Sequence, residues 1–320
     1  MFASSSKIDP VVHRFAIATC VVALLPIGMG TLVTTLRAGM AFADWPTSDG
    51  HNMLLYPWLD DLRHADRFTE HGHRLAGLII GMTSISLVFV TFLRERQWWV
   101  RNYAVGILIA VIAQGLLGGA RVLMDANLLA MLHSITGALF FAMCVVFALM
   151  TGKRETASAD EPDVSPLSTV ATTAVLILPI LVLVQYWLGG MFRHMGRMMF
   201  EHLAGAALVA CAGFVCALML LRSDSKHLRR SGRMILGTLF IQLCLGAGAW
   251  LSKLGVPSLG WVASTGSPTA IVFRSLHTIG GMLILTATVL ASVEVARHIR
   301  QRQVSLPFVA DRIRPKGGLA

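Results

Sequence analysis

The chain has 320 residues, of which 55% are hydrophobic and 14% are charged, and its mean hydropathy is +0.67. A soluble domain carries about a quarter charged residues, so this composition excludes an ordinary soluble protein and indicates a membrane protein. The net charge of +10 would suit a nucleic-acid partner, but its distribution along the chain argues against one.

Eight apolar runs follow one another along the chain, each long enough to cross a hydrocarbon core about 30 Å thick. They lie at 14–35, 71–93, 101–120, 127–150, 169–190, 200–221, 233–252 and 272–294. The first run lacks a convincing signal-peptide cleavage site and continues into a polar loop, so we expect it to be a true span. The sequence therefore predicts an all-α integral membrane protein with eight transmembrane helices.

The polar segment 151–168, TGKRETASADEPDVSPLS, is the one clear linker, and it divides the chain into four spans and four spans. Short matches recur in the same order in both halves. They pair AQGLLGGA (113–120) with IQLCLGAG (241–248), LHSITGAL (132–139) with LHTIGGML (276–283), and EHGHRLAG (70–77) with EHLAG (201–205). We therefore predict two tandem four-helix bundles, over 1–150 and 169–298, followed by a basic cytoplasmic tail over 299–320.

The basic residues are concentrated on one side of the predicted membrane. With the N-terminus inside, cytoplasmic segments hold 18 of the 27 Lys and Arg, as the positive-inside rule requires. We expect both termini in the cytoplasm and no nucleic-acid partner. Each even-numbered span then begins on the outer side of the membrane.

Four histidines lie near the outer ends of the even-numbered spans, at repeat-related positions: His73, His133, His202 and His277. A single histidine near a helix end is more often an interfacial polar residue than a ligand. Four at one depth, two in each half, favour ligation, because ionisable residues within spans are costly and usually functional. Two imidazoles on facing helices suit a haem iron held from both sides. We therefore predict a haem between each pair.

Further candidates surround the histidines. Guanidinium groups fit carboxylates, so four arginines could pair with haem propionates: Arg37, Arg74, Arg193 and Arg274. Glu70 precedes His73 by three residues and so shares its helix face. It is either a first-turn acid favoured by the helix dipole or a general base or electrostatic stabiliser beside the haem. His71 should face away from His73, while His194 falls between spans and is expected in a solvated loop.

The five cysteines all fall inside apolar spans: Cys20, Cys144, Cys211, Cys216 and Cys244. None lies in a loop, and no C-x-x-C motif occurs. Neither a disulfide framework nor a zinc site is indicated.

Several of these motifs together resemble the haem A synthase family. E-H-G-H-R (70–74) is similar to its Glu-x-x-His-Arg signature, and RAGMAFADWPTSDG (37–50) looks like its first outer loop, with Asp-Trp-Pro at 44–46. The contexts of the other three histidines and the duplicated eight-span layout extend the likeness to about residue 298.

The resemblance implies an oxidoreductase that converts the C8 methyl of haem O to a formyl group, giving haem A for cytochrome oxidase assembly. It implies substrate haem O between His73 and His133, with Glu70 as the catalytic carboxylate. It implies haem b between His202 and His277. It further implies delivery of haem O by a haem O synthase, a membrane electron donor or acceptor, a possible homo-oligomer, and an inner (plasma) membrane location with the haem sites near the outer face.

The chain departs from the family pattern in its outer loop. Many members have a cysteine pair flanking Asp-Trp-Pro, where this chain has Phe42 and Ser48. A thiol relay is therefore excluded. An arginine often found near the end of the first span appears here as Thr34.

Two other functions compete with the enzyme. A di-haem b-type electron carrier would use the same four histidines, but it has no need of Glu70 one turn from one ligand or of the Asp-Trp-Pro loop. A proton-coupled transporter would have broken helices near mid-membrane, whereas the polar residues here cluster at the outer end.

Overall fold

The computed structural model describes residues 8–153, 166–256, 258 and 262–313. This part of the chain folds into eight α-helices without a named β-strand. They are α1 (Pro10–Thr35), α2 (Ala65–Arg94), α3 (Trp98–Met124), α4 (Asn127–Thr151), α5 (Thr169–Met195), α6 (Met199–Leu221), α7 (Lys226–Leu254) and α8 (Pro268–Ile313).

The prediction of eight membrane spans is confirmed. All eight helices are long and apolar enough to cross a membrane, and in α8 the spanning part is Pro268–Gln301. The helices are longer than the apolar runs that predicted them. For example, α7 begins at Lys226, seven residues before the predicted span, because charged residues outside the lipid can continue the backbone hydrogen-bond pattern.

Local sequence explains several helix ends. Asp9 precedes α1 and its side chain accepts a hydrogen bond from the Val11 amide at 2.7 Å, with Pro10 in the first helical position. Ser168 caps α5 in the same way. At its other end α5 stops at Gly196, whose φ of 68° favours glycine.

The helices pack as two groups of four. Within each half, successive helices contact one another and the fourth also contacts the first, while the halves meet through α1, α4, α5 and α8. Arg193 of α5 ties the halves together, because its guanidinium donates to the carbonyl of Thr31 (2.9 Å), the hydroxyl of Thr35 (2.9 Å) and the carbonyl of Arg274 (3.2 Å). This packing is consistent with two tandem four-helix bundles.

The two halves differ in the first outer connection. Residues 36–64 link α1 to α2 and include a short 3-10 helix, Trp58–Arg63, whereas residues 196–198 suffice to link α5 to α6. Helix α8 continues through Ile313, so the first part of the predicted tail (299–320) is helical. Residues 154–165 of the predicted linker and 314–320 of the tail lie outside the described residues.

Candidate functional site

The four predicted histidines meet as two pairs, one in each half. The ring centroids of His73 and His133 are 6.1 Å apart and their planes are inclined by 89°. Those of His202 and His277 are 6.3 Å apart with an angle of 82°. The duplication seen in the sequence therefore produces two histidine pairs of the same geometry.

Each ring rests on a glycine of the preceding helix. The contacts pair Gly30 with His73, Gly118 with His133, Gly189 with His202, and Gly246 with His277. A Cβ added to any of these glycines would lie only 3.0–3.3 Å from the Cε1 atom of the ring. These glycines therefore let the histidine-bearing helix approach its neighbour closely, as small residues do in membrane helix packing.

The same contact orients the imidazole. His73 Nδ1 lies 2.9 Å from the backbone carbonyl of Pro26, one turn before Gly30. The backbone carbonyls of Gln114 and Gln185 interact with the rings of His133 and His202. His277 lies near the Gln242 carbonyl, but its Nδ1 has no hydrogen-bond partner among the described residues. A carbonyl can only accept, so Nδ1 carries the proton and Nε2 keeps its lone pair. A hydrogen bond of this kind fixes the tautomer of metal-binding histidines.

The spacing within each pair fits a metal held between two imidazoles. A metal–nitrogen bond of about 2 Å on each side, added to a ring radius of about 1.1 Å, gives a centroid separation of about 6.3 Å. Among the described residues no three His, Cys, Asp or Glu side chains come together as a metal site. A bare ion would need three or four protein ligands, so the pairs suit a metal that brings its remaining ligands with it, as a haem iron does.

The C-terminal pair lines a cavity of about 390 Å³ between α4 and the four helices of the second half. Most of its wall is Leu, Val, Ile, Ala and Gly, with Lys253, Arg274 and Arg193 as the basic groups. The Lys253 ammonium lies 3.9 Å from the centroid of the Phe192 ring, which stacks on His202 at 6.4 Å. An apolar slot with two imidazoles and a few cations matches a flat apolar ring that carries carboxylates.

The loop 36–64 is anchored close to the N-terminal pair by a buried ion pair. Arg74 donates to Glu70 Oε1 at 2.8 Å and to the carbonyl of Asp44 at 2.9 Å. Glu70 Oε2 accepts from the amides of Ala41 (2.7 Å) and Phe42 (3.3 Å). Glu70 and Arg74 are only 3% and 9% exposed, so both oxygens of Glu70 are committed to protein donors.

The Asp-Trp-Pro motif joins this loop to α3. The Trp45 indole packs directly on Gly119, the residue after the glycine that supports His133. Partial burial raises the pKa of Asp44, but hydrogen bonds from Thr47 and from the backbone amides of Gly50 and Asp49 outweigh this effect and lower it to about 2. Asp44 is therefore a charged turn-forming residue.

The two positions at which the family resemblance implies cysteines are filled by packing. Phe42 is fully buried and meets the Tyr56 ring edge-on at 5.2 Å. Ser48 Oγ lies 3.1 Å from His71 Nδ1, and the His71 ring in turn lies 4.7 Å from that of Tyr56. His71 therefore belongs to the loop contact and not to the histidine pair, as its helix position predicts.

The structure shows the surroundings of two predicted residues. Arg74, one of four arginines that could pair with a haem propionate, donates to the carbonyls of loop 36–64 and to Glu70, which lie within its reach; its pairing with a propionate stays a prediction. His194, expected in a solvated loop, lies in the last turn of α5 and lines the C-terminal cavity, since α5 runs five residues beyond the predicted span.

Sequence reasoning missed two basic residues beside the sites. Lys253 lines the C-terminal cavity, and Arg121 donates to the carbonyl of Gly39 and interacts electrostatically with Glu70 and both N-terminal histidines. Each lies at or just beyond the predicted end of an odd-numbered span. The ends of these spans lie at the same predicted depth as the four histidines. This position in the sequence could have identified Lys253 and Arg121.

Comparison with known proteins agrees with this geometry. The family model described as "Cytochrome oxidase assembly protein" matches residues 61–199, a segment that includes Glu70, His73 and His133. Proteins described as "Heme A synthase" are similar in sequence. The match is 29% identical with one from Symbiobacterium thermophilum, over 58% of this chain and 60% of that protein, and 34% with one from Methylorubrum populi, over 38% and 32%.

A third such protein, from Methylobacterium radiotolerans, is 26% identical over 44% of this chain and 41% of its own length. The chain thus spans less than two thirds of the length of the curated relatives that it matches. No solved structure matches it significantly. These sequence matches agree with the resemblance that the motifs indicate: over part of its length, the chain is similar to proteins described as haem A synthases.

Proposed function

We propose that this protein is a membrane haem A synthase that oxidises the C8 methyl of haem O to a formyl group. The observation that carries the proposal is the presence of two equivalent histidine pairs, of which only the N-terminal one lies beneath a long outer loop with a buried carboxylate. An enzyme that acts on one haem with the help of another needs two similar haem sites and reaction groups at one of them.

The C-terminal pair is the proposed site of haem b. His202 and His277 would hold it through their Nε2 atoms, and the Gln185 backbone carbonyl would orient the His202 ring. Lys253 and Arg274 would balance its propionates, and the apolar cavity wall would keep water away. When bound, haem b supplies a redox-active iron for electron transfer.

The N-terminal pair is the proposed site of haem O. His73 and His133 would hold the substrate, and the loop 36–64 would cover its outer edge. Glu70 contributes a fixed negative charge in a buried position, which would stabilise positive charge at the oxidised carbon. Its bonds to two loop amides and to Arg74 keep that charge in place.

The proposed setting is the inner (plasma) membrane, with both termini in the cytoplasm and the haem sites near the outer face. The positive-inside charge pattern supports this orientation. Delivery of haem O by a haem O synthase, exchange of electrons with a membrane carrier and formation of a homo-oligomer remain predictions.

The test is to identify the haems extracted from the purified protein after production with a supply of haem O. We expect haem A or a hydroxylated haem O together with haem b. The variants His202→Ala and His277→Ala should lose haem b, and His73→Ala and His133→Ala should lose the modified haem. If the wild-type protein carries haem b at both sites and leaves haem O unchanged, it is a di-haem electron carrier. Absence of haem would exclude both functions.

A further inference from the structure

The residue one turn before each supporting glycine follows a pattern that the proposed function does not use. The sequences are QGLLG (114–118), QYWLG (185–189) and QLCLG (242–246), but PIGMG (26–30) in α1. Three of the four histidines therefore face a glutamine, and His73 faces Pro26 instead.

The glutamine holds its histidine from two sides. The amide nitrogen of Gln185 lies 2.8 Å from the carbonyl oxygen of His202 and 2.9 Å from its Nδ1. Gln114 takes the same place when its amide nitrogen faces the ring, at 3.2 Å from the His133 carbonyl and 3.1 Å from Nδ1. Its oxygen then accepts from the Thr136 hydroxyl at 2.6 Å. The side chain thus binds the histidine backbone while the glutamine carbonyl interacts with the ring.

In the C-terminal half this arrangement persists although it leaves polar atoms without partners. The side-chain oxygens of Gln185 and Gln242 are buried and have no hydrogen-bond partner among the described residues. They abut Gly205 and Gly280, each three residues after a histidine, where any Cβ would collide with them. An unpaired buried amide oxygen is costly in free energy. A leucine at these positions would fill the space without that cost.

His73 lacks the second restraint. Pro26 offers only its backbone carbonyl to Nδ1. The glycine one turn after His73, Gly77, has open space where a Cβ would be, whereas the corresponding Gly137 has the Gln114 oxygen 3.7 Å from that position. The His73 ring is therefore held by one hydrogen bond, and among the described residues no glutamine side chain packs on the glycine one turn after it.

We infer that Gln114 and Gln185 are positioning residues that hold the backbone of His133 and His202, and that His73 is the exchangeable ligand that gives way when haem enters or leaves the N-terminal site. The inference rests on the proposed function, in which the N-terminal haem is a substrate that must depart after reaction and the C-terminal haem stays. One weakly held ligand permits departure, while its firmly held partner His133 keeps the site formed.

The test measures haem release from the full-length protein loaded with haem b, using excess apomyoglobin as the acceptor. We expect a fast phase from the N-terminal site and a slow phase from the C-terminal site, assigned with His277→Ala. Pro26→Gln should slow the fast phase about fivefold, the factor that one neutral hydrogen bond contributes. Pro26→Leu is the matched control, because it removes the proline ring without adding a side-chain amide. It should not slow haem release.

The reciprocal variant is Gln185→Leu, which keeps the side-chain size but loses the hydrogen bond to the His202 carbonyl. It should speed the slow phase about fivefold and broaden the low-spin ferric electron paramagnetic resonance signal of the C-terminal haem, because the backbone that carries His202 is held less firmly. If Gln185 served only for packing, Gln185→Leu would change neither the rate of haem release nor the width of the resonance signal. The inference would be overturned if Pro26→Gln released haem at the wild-type rate, or if Pro26→Leu slowed release as much as Pro26→Gln. It would also be overturned if the resonance signal of Gln185→Leu equalled that of the wild type.

These outcomes separate the inference from the proposed function. If the wild-type protein leaves haem O unmodified but Pro26→Gln slows the fast phase as stated, the locking of the histidines stands and only the enzymatic role fails. If the wild-type protein modifies haem O and Pro26→Gln releases haem at the wild-type rate, only the inference fails.

Discussion

Replacement of Glu70 by alanine tests whether its ion pair with Arg74 anchors the outer loop. The change leaves Arg74 buried without its charged partner and orphans the Ala41 amide, which donates at 2.7 Å. Removing one partner of a buried ion pair costs about 3–5 kcal/mol. Arg74 keeps its bonds to the carbonyls of Asp44 and Thr47, so we take the lower value, about 3 kcal/mol.

A loss of about 3 kcal/mol in the free energy of loop opening corresponds to an increase in opening of about 100-fold. Hydrogen–deuterium exchange of peptides within 36–64, measured by mass spectrometry, reports this opening directly. The matched control is Glu201→Ala, because Glu201 directly precedes His202 in the other half and is exposed. Its loop exchange should equal that of the wild type.

The same variants separate the two roles of Glu70. If anchoring is its whole contribution, Arg74→Met should impair haem O conversion as much as Glu70→Ala at equal loop opening. A larger loss in Glu70→Ala would show that its charge also acts on the substrate. Exchange in Glu70→Ala within about threefold of wild type, far short of the 100-fold expected for a lost buried pair, would refute the anchoring role.

Three further outcomes follow from the packing and charges. Gly246→Leu should displace the His277 ring and lower the haem content of the C-terminal site. Gly237→Leu on the same helix should not, because there is open space at its Cβ position. Equal losses of haem in the two variants would contradict the supporting role of Gly246. Arg193→Met should lower the free energy of unfolding by about 3 kcal/mol, because the buried hydrogen bonds of its guanidinium to Thr31 and Thr35 of the other half are lost. A thermal unfolding midpoint equal to that of the wild type would contradict this. The Asp44 carboxylate has a pKa of about 2 in the folded protein, below its ordinary value of 3.8. Its contribution to stability is therefore complete above about pH 4 and is lost as the pH falls through about 2. Hydrogen–deuterium exchange at residues 49 and 50, corrected for intrinsic rates, should not change between pH 8 and 5.

The sequence by itself determined the spans, and it singled out the four histidines that meet as two pairs in the structure. Span length and apolar composition are local properties set by the thickness of the membrane, and each of the eight predicted spans lies within one of the observed membrane-crossing helices. The repeat positions of His73, His133, His202 and His277 placed them at one depth, and depth along a helix follows from the residue count alone.

The rotation of each helix and its lateral neighbours were decided only by the tertiary structure. Arg74 and Glu70 carried the right chemistry in the sequence, but the direction of Arg74 depended on loop carbonyls distant in the chain. The supporting glycines and the glutamines before them read as ordinary packing residues until each met a histidine of the next helix. Such contacts depend on which faces of two helices meet, and neither length nor composition specifies that.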